Sequence, residues 1–428
     1  MTAAAEPEGR ILTRAPHGHI LTNTDCWSPD SRWVIYDVRP DPAGSVFEGK
    51  RIERVDVETG NVDVLFESKN DAHCGVVTAS PVDDRIVFIH GPEKPTEDWQ
   101  YAGHHRRGVL VNAAKPGIAT NLDARNIVAP FTPGALRGGT HVHVFDGEGQ
   151  WVSFTYQDHV LHALDPVLDL RNVGISLPGC PVSVPETHPR NHHGSHFSIL
   201  VSRTTQEAKP GSDEINRAYS DAWVGRTGYP TESGHTQKAI AFLGDLLTEK
   251  HEKLTELFIV DLPGSLTRHE PDPALAGTAD SPPQPPPGIV QRRLTRTADR
   301  SFPGIQGVRH WPRSSPDGSS IAFLMKDDNG VSQFWTISPL GGQPRQLTHL
   351  TKPVASAFSW SPDGRSLAAV VDGAVCVIDA DSGKLTRRTL TQDPPPRPEA
   401  CVFSPDGQYI AYLIDVDGFN QVAICASQ

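Results

Sequence analysis

Residues 138–149 read GGTHVHVFDGEG, which sets His141 and His143 one residue apart just before an Asp-Gly turn. Alternate residues of a strand point to the same face, so the two imidazoles are expected side by side. Such a pair can ligate a divalent cation or move protons near neutral pH. A second concentration lies in residues 90–108, HGPEKPTEDWQYAGHHRRG, where Trp99 and Tyr101 precede His104, His105, Arg106 and Arg107. Guanidinium groups suit a carboxylate, and aromatic faces suit a sugar ring. Arg309, His310 and Trp311 repeat that combination, while His159 and His162 lie in DHVLHAL and Tyr219 in AYSDAW.

The elements that must position these groups follow from a repeat. CWSPDSRWVIYD (26–37), RSSPDGSSIAFLMKD (313–327), SWSPDGRSLAAVVDG (359–373) and VFSPDGQYIAYLIDVDG (402–418) each read as a strand end, a Ser-Pro-Asp-Gly turn and an apolar strand. Asp317, Asp363 and Asp406 are separated by roughly the 40–50 residues of one four-stranded propeller blade. Weaker copies cover 78–91 and 144–158, and AYSDAWVG (218–225) mirrors NTDCWSPD (23–30) to head a fourth blade. The outer-strand endings VQRRLT (290–295), PRQLTH (344–349) and TRRTLT (386–391) match GRILTR at residues 9–14. The strand around Ile11–Thr13 is therefore expected to close the last blade and leave no free sheet edge. The expected fold is an all-β, seven-bladed β-propeller over residues 1–428, with a proline-rich surface insertion at 263–289.

Composition excludes several partners. Lys and Arg total 39 against 51 Asp and Glu, and a net charge of −12 argues against a general nucleic-acid binder. No apolar run approaches the roughly 18 residues of a membrane helix. The N-terminal residues lack the basic-then-apolar pattern of a signal peptide. Six scattered cysteines without a C-x-x-C pair suit a reduced, cytoplasmic protein.

The Ser-Pro-Asp-Gly blades resemble the TolB-like propeller superfamily along essentially the whole chain. PRNHHGSHFSILVSRT, PGSDEINRAYSDAWVG and AIAFLGD with ELFIVDLP resemble a bacterial propeller family known only as a domain of unknown function. Within the superfamily, THVHVFDGEG is similar to the T-H-x-H stretch of oligogalacturonate lyases, in which both histidines bind a divalent cation. Those enzymes place a further glutamine ligand three residues before the first histidine, where this chain has Gly138. The resemblance implies a metal-assisted lyase acting by β-elimination on a uronate-containing oligosaccharide, with Mn, or Zn, Fe or Ni, as cofactor. Prolyl-oligopeptidase-type enzymes carry similar propellers, but no G-x-S-x-G occurs here, and no phosphate-binding loop either.

Counted back from the Asp-Gly turn, His141 is expected at the blade position of Asp25 and Asp221. His143 is expected at that of Trp27, Trp223, Trp360 and Phe403, which is a packing position. A cation at the funnel mouth is expected to take His141, with His143, His310, Asp25 or Asp221 completing its shell. His141 or His162 is the expected base, Tyr219 or a second histidine the acid, and Arg107 and Arg309 the groups that stabilise developing charge. Trp99, Tyr101, His104, His105, Arg106 and Trp311 are expected to bind an acidic oligosaccharide. Two competing expectations are a non-catalytic propeller that binds a glycan, peptide or protein, and a glycoside hydrolase drawing a carboxylate pair from Glu97, Asp98, Asp213 and Glu214.

Overall fold

A computed structural model describes residues 9–267 and 272–428. Among these residues, seven four-stranded antiparallel sheets succeed one another along the chain. Numbered from the N-terminus, the blades have as innermost strands Gly18–Ile20, Cys74–Ala79, Gly138–Phe145, Ile215–Trp223, Arg313–Ser314, Ser359–Trp360 and Cys401–Phe403. The fold is a seven-bladed β-propeller. Arg10–Ile11 is the outer strand of blade 7, with Arg10 opposite Ile424 and Ile11 opposite Ala423.

Both repeated motifs owe their recurrence to hydrogen bonding. In each Ser-Pro-Asp turn the serine hydroxyl donates to the aspartate two residues on, at 2.5 Å for Ser28, Ser315 and Ser404 and 2.6 Å for Ser361. The same hydroxyl accepts the returning strand's N–H from Trp33, Ser320, Tyr409 or Ser366. The turn thus satisfies its own polar groups without help from the rest of the blade. The Leu-Thr endings work at the outer edge. Thr295 and Thr348 each accept a third-strand N–H, from Leu257 and Phe334, and in blade 6 the threonine before Leu390, Thr389, does this for Val375. Thr13 does the same for Val422 at 2.9 Å, although the two residues lie at opposite ends of the chain.

The proline-rich insertion, of which residues 268–271 lie outside the described residues, is docked through the rest of its length. Leu266, Leu275 and Ile289 are buried in the core shared by blades 3 and 4, and Arg137 donates to the Thr278 and Ser281 carbonyls. A segment too polar to fold alone is held by its few apolar anchors. No helix among the described residues is long and apolar enough to cross a membrane.

One prediction concerns closure. Thr13→Val should lower stability by about 1–3 kcal/mol, because the buried Val422 N–H loses its acceptor. Removing residues 1–13 should cost more still. Thermal melting of the truncated chain at the temperature of the full chain would contradict closure by this strand.

Candidate functional site

The two histidines of the T-H-x-H stretch do not lie side by side. His141 pairs with Thr155 and Val144 with Ser153, so Val142 and His143 together oppose a single residue. This β-bulge puts Val142 at φ 56°, a strained conformation for a β-branched residue. Alternation breaks at the bulge. His141 lines the central funnel, whereas the His143 ring is fully buried with Nε2 2.9 Å from Thr140 Oγ1. The neighbouring strand of blade 2 passes so close at Gly108 that a Cβ there would lie 2.7 Å from that nitrogen.

The expected blade alignment was also two residues out. Asp146 N donates to Trp151 O as Ser28 N donates to Trp33 O and Val224 N to Ala239 O. Asp146 therefore stands at the serine position of the turn, its carboxylate accepting from Gln150 N and Trp151 N, and Gly149 takes the left-handed glycine place. Phe145 matches Trp27 and Trp223, and His143 matches Asp25 and Asp221.

The funnel holds a cavity of about 430 Å³ walled by His141, Arg171, Arg217, Tyr219 and Arg309 over Trp311. A second recess shares His141, Arg171, Arg309 and Trp311 and adds Arg39, Tyr101 and Arg106. Arg39 is paired with Asp37 at 2.6 Å. No ion pair among the described residues involves Arg106, Arg171, Arg217 or Arg309. Three of them lie over aromatic rings, Arg106 over Tyr101 at 4.8 Å, Arg217 over Tyr219 at 4.7 Å and Arg309 over Trp311 at 4.8 Å.

Burial and the neighbouring cations both disfavour charge on Arg171, Arg309 and His141. Burial, then Arg217, Arg106 and Arg309, push Arg171 down to about 10. Burial, then Arg106 and Arg217, lower Arg309. Burial, then Arg171 and Arg106, hold His141 well below the ordinary histidine value, and its Nδ1 has no partner. Tyr219 donates its hydroxyl to Asp245 at 3.0 Å, and burial raises its pKa.

The expected cation shell is not assembled. His310 has both nitrogens engaged, Nδ1 with Val308 O at 2.9 Å and Nε2 with the Leu324 N–H at 3.0 Å. Asp25 lines a separate recess together with Arg313, and burial raises the carboxyl pKa of both Asp25 and Asp221 against the opposing pull of Arg313. Burial is the larger influence and raises Asp221 to about 6. Among the described residues, no group of three side chains close enough to share an ion includes His141 or His143, so the manganese that the T-H-x-H resemblance implies does not fit the ligand set expected for it.

Two other expected residues are otherwise engaged. Arg107 points to Glu93 at 2.9 Å and to His90, and does not wall the funnel. Trp99 is buried and stacked on His105 at 3.7 Å, with Arg125 and Arg190 near its ring, so it offers no free face to a sugar. His104 and His105, expected as sugar ligands, and His162, expected as a base, form a cluster on the funnel rim with His159 and Asp169. Among the described residues, the groups close enough to share an ion are His104, His105 and His159, and His104, His162 and Asp169. Asp169, Gln157 and Arg125 escaped the sequence reading. A lone carboxylate, amide or arginine carries no local motif.

A family model described as a protein of unknown function (DUF3748) matches residues 73–192. The Escherichia coli protein YidR is 51% identical over 405 residues, covering 94% of each chain. The chain belongs to that family. Among solved structures, an oligogalacturonate lyase in complex with manganese superposes at a TM-score of 0.57 and 13% identity, over 97% of this chain and 92% of that one. A puromycin hydrolase S511A mutant superposes at 0.54 and 12% identity, over 94% of this chain but 50% of that one. These likenesses establish the propeller fold. A lyase and a hydrolase share it, so the fold alone does not select a reaction.

Uncompensated arginines call for an anion. Sulfate should raise the melting temperature saturably, and Arg171→Gln should weaken that effect at least about tenfold, given roughly 1.5–3 kcal/mol for a charged hydrogen bond. The same variant should melt no lower than the parent without sulfate, because it relieves repulsion. Sulfate protection unchanged in Arg171→Gln would contradict an anion site in the funnel.

Proposed function

We propose that the protein is a carbohydrate-active lyase whose funnel takes a uronate-containing oligosaccharide and cleaves it by β-elimination. The observation that carries this reading is the set of four arginines without carboxylate partners around a neutral, unpartnered His141. The likeness in fold to an oligogalacturonate lyase supports it.

The chemistry follows from the charges. β-Elimination removes the proton from the carbon bearing the carboxylate, breaks the bond from the adjacent carbon to the glycosidic oxygen, and leaves a double bond between the two carbons. The obstacle is negative charge developing on the carboxylate. Arg171, Arg217 and Arg309 face the cavity from blades 3 to 5 and hold that charge, an arrangement preorganised before the substrate enters. His141, kept unprotonated by burial and by these cations, takes the proton. Tyr219, in the same wall, keeps its phenolic proton, and turning that O–H from Asp245 to the departing oxygen delivers it there.

The pH dependence has a definite sign. His141 is lowered in the free enzyme, so it stays a competent base below its ordinary pKa, and the acid limb of kcat/KM should lie below about pH 6.5. Arg171→Gln removes one of the charges that lower it, so the limb should move up. The test is unsaturated-uronate absorbance on galacturonate, glucuronate and rhamnosyl-glucuronate oligomers. Turnover should fall by roughly two to four powers of ten in His141→Ala. Saturable binding with no absorbance change on any oligomer would instead make the propeller a binding module.

A further inference from the structure

We propose that the histidine cluster on the rim, outside the arginine funnel, is a binding site for a zinc-class divalent cation held by His104, His105 and His159. The three residues come from two short elements, the 3₁₀ turn Gly103–His105 between the second and third strands of blade 2 and the helix His159–Leu164 of blade 3. Their ligating atoms lie close enough to share one ion. His105 Nε2 and His159 Nδ1 are 3.1 Å apart. Ligands on a tetrahedral centre with metal–nitrogen bonds near 2.0–2.1 Å are separated by about 3.3 Å.

The surroundings are those of a ligand set. His105 Nδ1 lies 2.7 Å from the Gln100 carbonyl, so it carries the proton and leaves Nε2 free to coordinate. Its ring is clamped against Trp99 at 3.7 Å. Asp158 caps the helix by accepting from Leu161 N at 3.0 Å, which fixes the start of the turn that carries His159. His162 and Asp169 flank the site, with His162 Nδ1 3.2 Å from Asp169 Oδ2 and His104 Nδ1 3.7 Å from the same oxygen. Asp169 brings negative charge to a cation that lies near Arg125, whose guanidinium is occupied by the carbonyls of Gly138, His105 and Arg106. Three neutral imidazoles favour Zn, Ni or Fe over Ca or Mg. Three protein ligands also leave a fourth position open for water or a substrate oxygen.

The site is tied to the funnel through one amide. Gln157 donates to Asp169 at 3.1 Å and accepts from Arg171 at 2.7 Å. An ion on the rim thereby fixes the lip of the cavity from which Arg171 reaches a carboxylate.

The test is a titration of the chelator-stripped full chain with Co²⁺ alone, followed by displacement with Zn²⁺. One equivalent should bind with the visible absorption of a tetrahedral cobalt site, and Zn²⁺ should abolish that absorption. His105→Gln and His159→Ala should each weaken binding at least about 100-fold while the metal-free variants keep the parent's melting temperature. His141→Ala should bind cobalt as the parent does even where uronate turnover is lost, which separates this site from the proposed reaction. Parent protein that takes up no cobalt at micromolar concentrations overturns the proposal, whatever the variants do. Binding that survives His105→Gln and disappears in Asp169→Asn overturns the ligand set in favour of His104, His162 and Asp169.

Discussion

Every property of the funnel depends on how neighbouring blades are locked together at their innermost strands. Trp27 Nε1 of blade 1 donates to Val402 O of blade 7 at 3.0 Å, Trp223 of blade 4 to Val144 O of blade 3 at 3.0 Å, and Trp360 of blade 6 to Arg313 O of blade 5 at 2.7 Å. Thr78 of blade 2 reaches His143 O of blade 3 at 2.6 Å. Each bond ties a side chain to a neighbour's backbone beside the channel, so blades cannot rotate independently. Arg10 and Ile11, paired with blade 7, carry the same locking across the chain ends. Only a closed ring holds side chains from five blades in one cavity.

That rigidity is what keeps the arginines together. Arg106, Arg171, Arg217 and Arg309 come from blades 2 to 5 or the loops entering them, and none has a carboxylate partner. In water such groups would move apart. Here the bulges hold the wall in shape, with Val76, Val142 and Ser220 each at φ 56° in blades 2, 3 and 4. Strained backbone at the mouth of a site is maintained by the packing around it. The chain as a whole carries a net charge of −12, so the positive funnel is a local construction and not a reflection of composition.

The fold was legible because its signals are local. A Ser-Pro-Asp-Gly turn satisfies its own hydrogen bonds, and the Leu-Thr ending recurs because one hydroxyl caps one strand N–H, so both survive reading out of context. The site was legible in part. His141, Arg309, Tyr219, Tyr101, Arg106 and Trp311 do wall the funnel. His143 was misplaced because a bulge is invisible to a period-two argument, and because Asp146 does a serine's work in a turn that lacks one. Arg107 and Trp99 are claimed by Glu93 and His105, partners that a linear motif does not announce. The rim cluster joins residues more than fifty positions apart, and only the packing of blade 2 against blade 3 brings them together.

The central claim is that the arginine funnel is built for a carboxylate-bearing saccharide. A crystal structure of His141→Ala soaked with a galacturonate trimer tests it most directly. The account predicts sugar density in the funnel, with one uronate carboxylate within hydrogen-bond distance of Arg171 or Arg309 and its ring over Trp311. Density on the opposite face of the propeller, or a funnel left to solvent at saturating saccharide, would contradict it.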